Sequence, residues 1–410
     1  MRSDEISLPA LKHRVRRPLI IGHYGGCNTG DEAMLTALLR AVGPDVRRHA
    51  AVVLKDGQGE NLRSVYGADS VPAGFRPVLR ALIRSDGLVL GGGTHFHDDY
   101  TTRRYLRHLR YMFRIAGLSM LAKLLGRQVI WLGMGFGPFY RWPTRWVTRL
   151  GLRFCDRVTV RDAVSQREIF GWIAPNKVML AFDLAALLAD GPMPGVVPAR
   201  TSGRACPTLG VSVTSIRHSM TSGPRVEAVF WRRLAVALNR NLDDRPNMRI
   251  RIVVLRGGNR EADWMLSKEL HEAITSAHPG RSELVPYTAE TRETLSTIAA
   301  CDSFVATRYH AGVLAYLAGC SLLFFAYHRK VCDLAREIGL SESACLTPCE
   351  NISEVVLREK INHLMDAKDS YRARLPVAEA ARRSWLNIQT LGETSPDPLC
   401  HSWKEWATKA

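Results

Sequence analysis

Apolar residues in this chain gather into short runs of strand length. Each run is closed by glycine or polar residues and followed by a stretch of helical period. Pro18–Gly22, Ala51–Leu54, the end of Arg84–Leu90, Val129–Leu132, Val158–Val160 and Val178–Ala181 are six such runs. Runs that are apolar throughout, without alternation, fit strands buried on both faces, and helices between them fit a parallel sheet. The pattern restarts beyond a stretch rich in proline, glycine and alanine. Leu209–Val213, Ile250–Leu255, Leu284–Pro286, Phe304–Val305 and Ser321–Tyr327 read as strands, with helices over Val226–Asn239, Glu261–Ala277, Thr291–Ala300 and Ala311–Ala318. The expected fold class is therefore α/β, with two doubly wound Rossmann-type domains. The expected boundaries are 18–190 for the first domain, 191–207 for a linker, 208–350 for the second domain, 351–391 for C-terminal helices and 392–410 for a tail. A length of 410 residues suits two domains of roughly 150–200 residues each.

Chemistry in such folds sits at the carboxyl ends of strands, so the turns matter most. The first, His23–Glu32, is glycine-rich, but its glycines do not give G-x-G-x-x-G and no Lys-Ser/Thr closes a Walker loop. Asp31 and Glu32 would repel a phosphate there. The turn reads as a polar loop facing a hydroxyl-bearing substrate, or as a helix start capped by Thr29 or Asp31. Three consecutive glycines, Gly91–Gly93, indicate either close approach of backbone to a ligand, the favoured reading, or an unusual turn. Gly133–Gly137 is a similar strand exit, and Arg161-Asp162 closes the run Val158–Val160. Most telling is Cys301–Lys330, which reads as strand, turn, helix and strand. It places Arg308 and His310 at a strand's end and a helix's start, where backbone N–H groups favour anions, with Lys330 just past the next strand. The competing reading has His310 as a helix cap and Arg308 paired with a surface carboxylate.

Charge sharpens this picture. The formal net charge is +17, which implies an acidic partner. Residues 101–160 hold twelve Lys/Arg against one acid, Asp156. Arg103, Arg107, Arg110 and Arg114 fall on one helix face, interleaved with Tyr105, Met112, Phe113, Trp142 and Trp146, so contact with an anionic membrane surface is one expectation. A solvated cationic face with aromatic core contacts is the other; no nucleic-acid partner is expected. Nine cysteines without a C-x-x-C pair suggest reduced thiols, and neither a metal set nor a secretory leader is legible. The expected location is cytoplasmic, with peripheral contact at the inner face of the membrane.

Taken together, the turns resemble the motifs of the polysaccharide pyruvyl transferase family. GHYGGCNTGDEAML resembles its opening G-x-x-G-x-x-N-x-G-D-E loop, GGGTHFHDD its GGG loop, and GMGFGPF its G-x-G-x-G-P loop. VRD, RYHAGVLAYLAG and AYHRKV are similar to its V-R-D, R-x-H-A and Y-x-x-K-V segments, in order over about residues 18–365. Two departures stand out: Thr94–Asp99 is unusually ionisable, and Asp183-Leu184-Ala185 stands where the family often has Asp-Pro-Ala. The resemblance implies a GT-B-like fold with its two domains facing a central cleft. It also implies transfer of an enolpyruvyl unit from phosphoenolpyruvate to a saccharide or lipid-linked glycan in cell-surface polysaccharide synthesis, with no cofactor. By matched position, His310 and Asp31 would be catalytic, Arg161, Arg308 and Lys330 would hold the donor, and Asn28, Gly91, Gly92, Gly93, Gly135 and Tyr327 would line the acceptor or its loops. The alternatives are a nucleotide-sugar glycosyltransferase of the same fold and a catalytically divergent glycan-binding member. Phosphate release from phosphoenolpyruvate separates these. Oligomeric state is not legible.

Overall fold

The structure is a computed structural model and describes residues 14–55, 67–189, 206–217, 223–257 and 262–392. The linker expected at 191–207 lies outside the described residues except for its last two positions, and so does the tail beyond residue 392. The chain divides into two compact units. The first comprises residues 1–26, 31–192 and 378–410, and the second comprises 27–30 and 193–377.

The first unit is built on an eight-stranded sheet. Its strands are β1 (Pro18–Ile21), β2 (Ala51–Leu54), β3 (Asp69–Pro72), β4 (Gly87–Leu90), β5 (Gly93–Phe96), β6 (Gln128–Phe136), β7 (Arg157–Val160) and β8 (Val178–Leu180). They run in the order β3-β2-β1-β4-β6-β7-β8, with β5 also on β6, and every described pairing is parallel. Every residue of β1, β4, β6 and β7 is buried; the sequences of β1 and β4 are apolar without alternation, as strands covered on both faces require, and β7 buries Arg157 and Thr159 as well. The edge strand β3 is mostly exposed, polar and ends in proline, which is why the apolar pattern missed it.

The second unit holds a six-stranded parallel sheet in the order β11-β10-β9-β12-β13-β14. Its strands are β9 (Thr208–Val211), β10 (Arg249–Val253), β11 (Ser282–Val285), β12 (Ser303–Ala306), β13 (Ser321–Phe325) and β14 (Cys345–Leu346). In each sheet the strand order reverses once, between β1 and β4 in the first and between β9 and β12 in the second. Such switch points open crevices at the strands' carboxyl ends.

The last helix among the described residues, Val377–Gln389, lies almost wholly in the first unit. Its Asn387 amide donates to the Phe182 carbonyl at 3.1 Å and its Ser384 hydroxyl to the Asp183 carbonyl at 2.9 Å, while Thr159 donates to the Asn387 side-chain oxygen. No helix among the described residues is long and apolar enough to cross a membrane.

Candidate functional site

In the second unit the residues singled out from sequence converge on the ends of β12 and β13. Arg308 is the N-cap of the helix Tyr309–Leu317, in extended backbone (φ −85°, ψ 145°), and His310 sits in that helix's first turn. The guanidinium does not project as a lone charge. Its Nε donates to Asp263 Oδ2 at 2.6 Å, Nη2 bonds the same oxygen, and both side chains are largely buried. Asp263 also accepts from Thr214 Oγ1 (3.1 Å) and from the Ser215 N–H (2.9 Å). The pairing foreseen with a surface carboxylate is thus made with a buried one, which locks the arginine's orientation.

A second buried carboxylate shapes the loop after β9. Glu227 Oε2 accepts from Ser215 Oγ (2.7 Å) and from the N–H groups of Ile216 and Arg217, while Oε1 accepts from Arg217 Nε. Residues 27–30 belong to this unit. Thr29 N–H donates to the Leu255 carbonyl, Gly257 N–H donates to the Cys27 carbonyl, and Asn28 bridges to Arg256. Gly30 is packed against His310 so closely that a Cβ there would fall on the imidazole ring. Beyond β13, Tyr327 is partly buried, and His328 caps the helix Arg329–Glu337 by accepting the Lys330 N–H on Nδ1 at 3.3 Å.

In the first unit the expected residues fall around the switch point between β1 and β4. Asp31 is half-buried in the first turn of the helix Thr29–Ala41, where a carboxylate complements the helix dipole. Around it is an aromatic cluster that the sequence did not reveal. His95 Nε2 lies 3.0 Å and 3.1 Å from the carbonyls of Gly91 and Gly92. Carbonyls only accept, so Nε2 carries the proton. Burial lowers the His95 pKa, and in the neutral ring Nδ1 accepts from the Tyr111 hydroxyl at 2.7 Å. The His23 ring stacks on His95 at 4.7 Å and on Tyr111 at 4.9 Å. Burial, and then the Asp31 charge, push the hydroxyls of Tyr24 and Tyr111 well above the usual phenol range. His108, next to this cluster, is lowered to about 4 by burial. His95, Tyr24, Tyr111 and His108 are thus uncharged rings beside the Asp31 carboxylate.

The triple glycine serves the protein's own packing. A Cβ at Gly91 would fall on the Tyr24 hydroxyl, one at Gly92 would lie 2.5 Å from Met34 Sδ, and Gly93 takes φ +117°. The side-chain faces of Gly91 and Gly92 are thus taken up by Tyr24 and Met34. Gly135 is similar: a Cβ there would lie 2.8 Å from both Arg161 Nη2 and Thr94 Oγ1. Arg161 itself is buried. It donates to Thr94 Oγ1 at 2.9 Å and pairs with Asp183 at 3.4 Å, so its charge is compensated inside the first unit.

Two doubly wound parallel sheets, each with ionisable side chains at its switch point, define the GT-B fold, and solved structures agree. Anabaena HepE, crystallised with UDP and glucose, is 16% identical with a TM-score of 0.57, covering 93% of this chain and 98% of its own. The Neisseria meningitidis UDP-GlcNAc 2-epimerase bound to UDP-GlcNAc is 10% identical with a TM-score of 0.57, covering 92% and 100%. The Methanocaldococcus jannaschii UDP-GlcNAc 2-epimerase is 10% identical with a TM-score of 0.57, covering 91% and 99%. At these identities the likeness concerns the fold alone. No curated protein matches the chain. The sequence profile of the polysaccharide pyruvyl transferase family matches residues 28–329, and the chain belongs to that family. It is accordingly a transferase.

Proposed function

We propose that this protein transfers an enolpyruvyl unit from phosphoenolpyruvate to two hydroxyls of a saccharide, forming a cyclic pyruvate ketal and releasing phosphate. The observation that carries the reading is Arg308-Tyr309-His310 at a helix start beside the β9/β12 switch point, within a chain of this family. A helix N-terminus with a fixed guanidinium suits a donor bearing a carboxylate and a phosphate. Lys330 adds a second cation just past the next strand end.

The steps balance without a redox change. His310 gives a proton to the methylene carbon, which becomes a methyl group and leaves C2 electrophilic. A sugar hydroxyl bonds to C2 as Asp31 takes its proton. The C2–O bond to phosphate breaks with its electron pair, and the second hydroxyl closes the ketal. Of the two hydroxyl protons lost, one replaces that spent on the methyl group and the other leaves with phosphate. Buried His95, its ring nitrogens taken by the Gly91 and Gly92 carbonyls and by Tyr111, supports the strand exit beside Asp31 and leaves that carboxylate the acceptor-side base. Arg161, held by Asp183 and Thr94, has a positioning role: it fixes the strand exit at Gly135.

The test is phosphate release from phosphoenolpyruvate in the presence of a glycan panel, with mass spectrometry of the products. Wild-type protein should add a pyruvyl ketal to one acceptor class, and His310→Gln should lower turnover at least about 100-fold, as loss of a general acid does. Near-normal turnover in His310→Gln would remove that residue from proton transfer. Release of a nucleoside diphosphate from nucleotide sugars, with none of phosphate from phosphoenolpyruvate, would overturn the whole reading.

A further inference from the structure

The helix Thr102–Leu124 is amphipathic in an unusual sense, because its outward face is partly apolar. Leu106, Arg110, Phe113, Gly117, Met120 and Leu124 recur at steps of three and four residues, so they form one stripe. None of the six is buried, and the large apolar members are well exposed, Leu106 at 53% and Leu124 at 76%. Arg107 and Arg114, both exposed, flank the stripe on one side. The helix Trp142–Arg153 packs alongside it and continues the surface, with Trp142 77% and Trp146 52% exposed, and with exposed Arg145, Arg149 and Arg153. The rings of Phe113 and Trp146, 5.9 Å apart, join the two helices. The segment's single carboxylate, Asp156, is occupied by Lys123 at 2.8 Å. Of the apolar and aromatic residues read from sequence as interfacial, Tyr105 and Met112 are buried and serve the core instead.

We propose that this face is a docking surface for an anionic lipid bilayer. Four large aliphatic and aromatic groups on one stripe, two exposed tryptophans and a surround of arginines are what an interfacial helix needs. The apolar groups enter the boundary between headgroups and acyl chains, tryptophan sits at headgroup depth, and arginine meets lipid phosphate. Other occupants fit less well. A second copy of the same face would set arginine against arginine. Nucleic acid would use the arginines but leave the Leu106, Met120 and Leu124 stripe in water. This inference does not depend on the donor or acceptor of the proposed reaction, and its test uses no substrate.

The experiment is sedimentation of the purified full-length protein with phosphatidylcholine vesicles, alone or with about one third phosphatidylglycerol, at low and high salt. The protein should pellet with the anionic vesicles and be released by salt. Trp142→Ala/Trp146→Ala should weaken partitioning at least about tenfold. Arg107→Ala/Arg110→Ala/Arg114→Ala should weaken it on the order of 100-fold, about fivefold per arginine. All five side chains are exposed, so melting temperatures should stay near wild type. Equal partitioning onto neutral vesicles, or none onto either, would overturn the proposal. So would unchanged binding by the tryptophan variant, which would mark a general polyanion surface. A wild-type dimer that becomes monomeric in the tryptophan variant would reassign the face to contact between copies.

Discussion

Arg308→Ala is the perturbation whose outcome the geometry constrains most. Read as a free cation for the donor, Arg308 could be removed with loss of affinity and no loss of stability. The structure gives a different expectation, because Asp263 is almost fully buried and Arg308 supplies two of its hydrogen bonds. Removing one partner of a buried ion pair costs about 3–5 kcal/mol, since the other charge stays uncompensated. Asp263 would keep the Thr214 hydroxyl and the Ser215 N–H, so the low end, about 3 kcal/mol, applies. At roughly 2–4 °C per kcal/mol for a unit of this size, the melting point should fall by about 6–12 °C. Arg308→Ala/Asp263→Asn removes the stranded charge and keeps an acceptor for the Ser215 N–H, so it should recover part of that loss. Differential scanning calorimetry of wild type, both single variants and the double variant measures the coupling. An Arg308→Ala protein melting within about 2 °C of wild type, with no gain on adding Asp263→Asn, would refute the reasoning and return Arg308 to the role of an independent clamp.

Three further outcomes follow from the geometry. Gly30→Ala should favour the helix Thr29–Ala41 by propensity yet displace the His310 ring, so turnover should fall at least about tenfold while Gly117→Ala, in open space, leaves it intact; a Gly30→Ala enzyme with normal kinetics would sink the contact. Cys345 Sγ donates to Cys332 Sγ at 3.2 Å and lowers the Cys332 thiol to about 7, while the Cys345 thiol is pushed up; brief iodoacetamide treatment at neutral pH should therefore label Cys332 ahead of Cys345 and of buried Cys301, raised to about 12, as read by peptide mass spectrometry. His108 is depressed from 6.5 to about 4, so the unfolded chain binds its proton first as pH falls; stability present above pH 6.5 should drop between 6.5 and about 4, by at most about 3 kcal/mol from this residue. Melting curves across that range should flatten in His108→Gln, and an unchanged slope would contradict the assignment.

The sequence pattern located most of the sheets' central strands because each carries a short apolar-rich run closed by a turn, even where arginine or threonine interrupts it, as in β7 and β10. It lost β3, whose Asp69–Pro72 is polar at an exposed edge, and β5, because Gly93–Phe96 follows two further glycines and looks like a loop. It also stopped β6 at Leu132, whereas the strand runs to Phe136 through Gly133 and Gly135. Those glycines are tolerated in a central strand because Leu184 and Arg161 fill the space their side chains would take. The turn at Arg308 and His310 was legible because local sequence sets a strand end and a helix start. Its partner Asp263 was not, since forty-five residues separate the two in the chain. The same holds for His95 with Tyr111: the tyrosine lies in a helix whose sequence advertises arginine, and only packing shows which way each side chain turns.

The helix Val377–Gln389 bears on how the chain is made. Its Asn387 and Ser384 satisfy the Phe182 and Asp183 carbonyls, and the Leu391 carbonyl accepts the Val15 N–H. The first half of the chain therefore leaves the ribosome without the partners that finish it. At about 5–20 residues per second, some 10–40 seconds of synthesis separate Asp183 from Leu391. During that interval the second unit can complete itself first, which inverts the usual amino-to-carboxyl order of domain maturation.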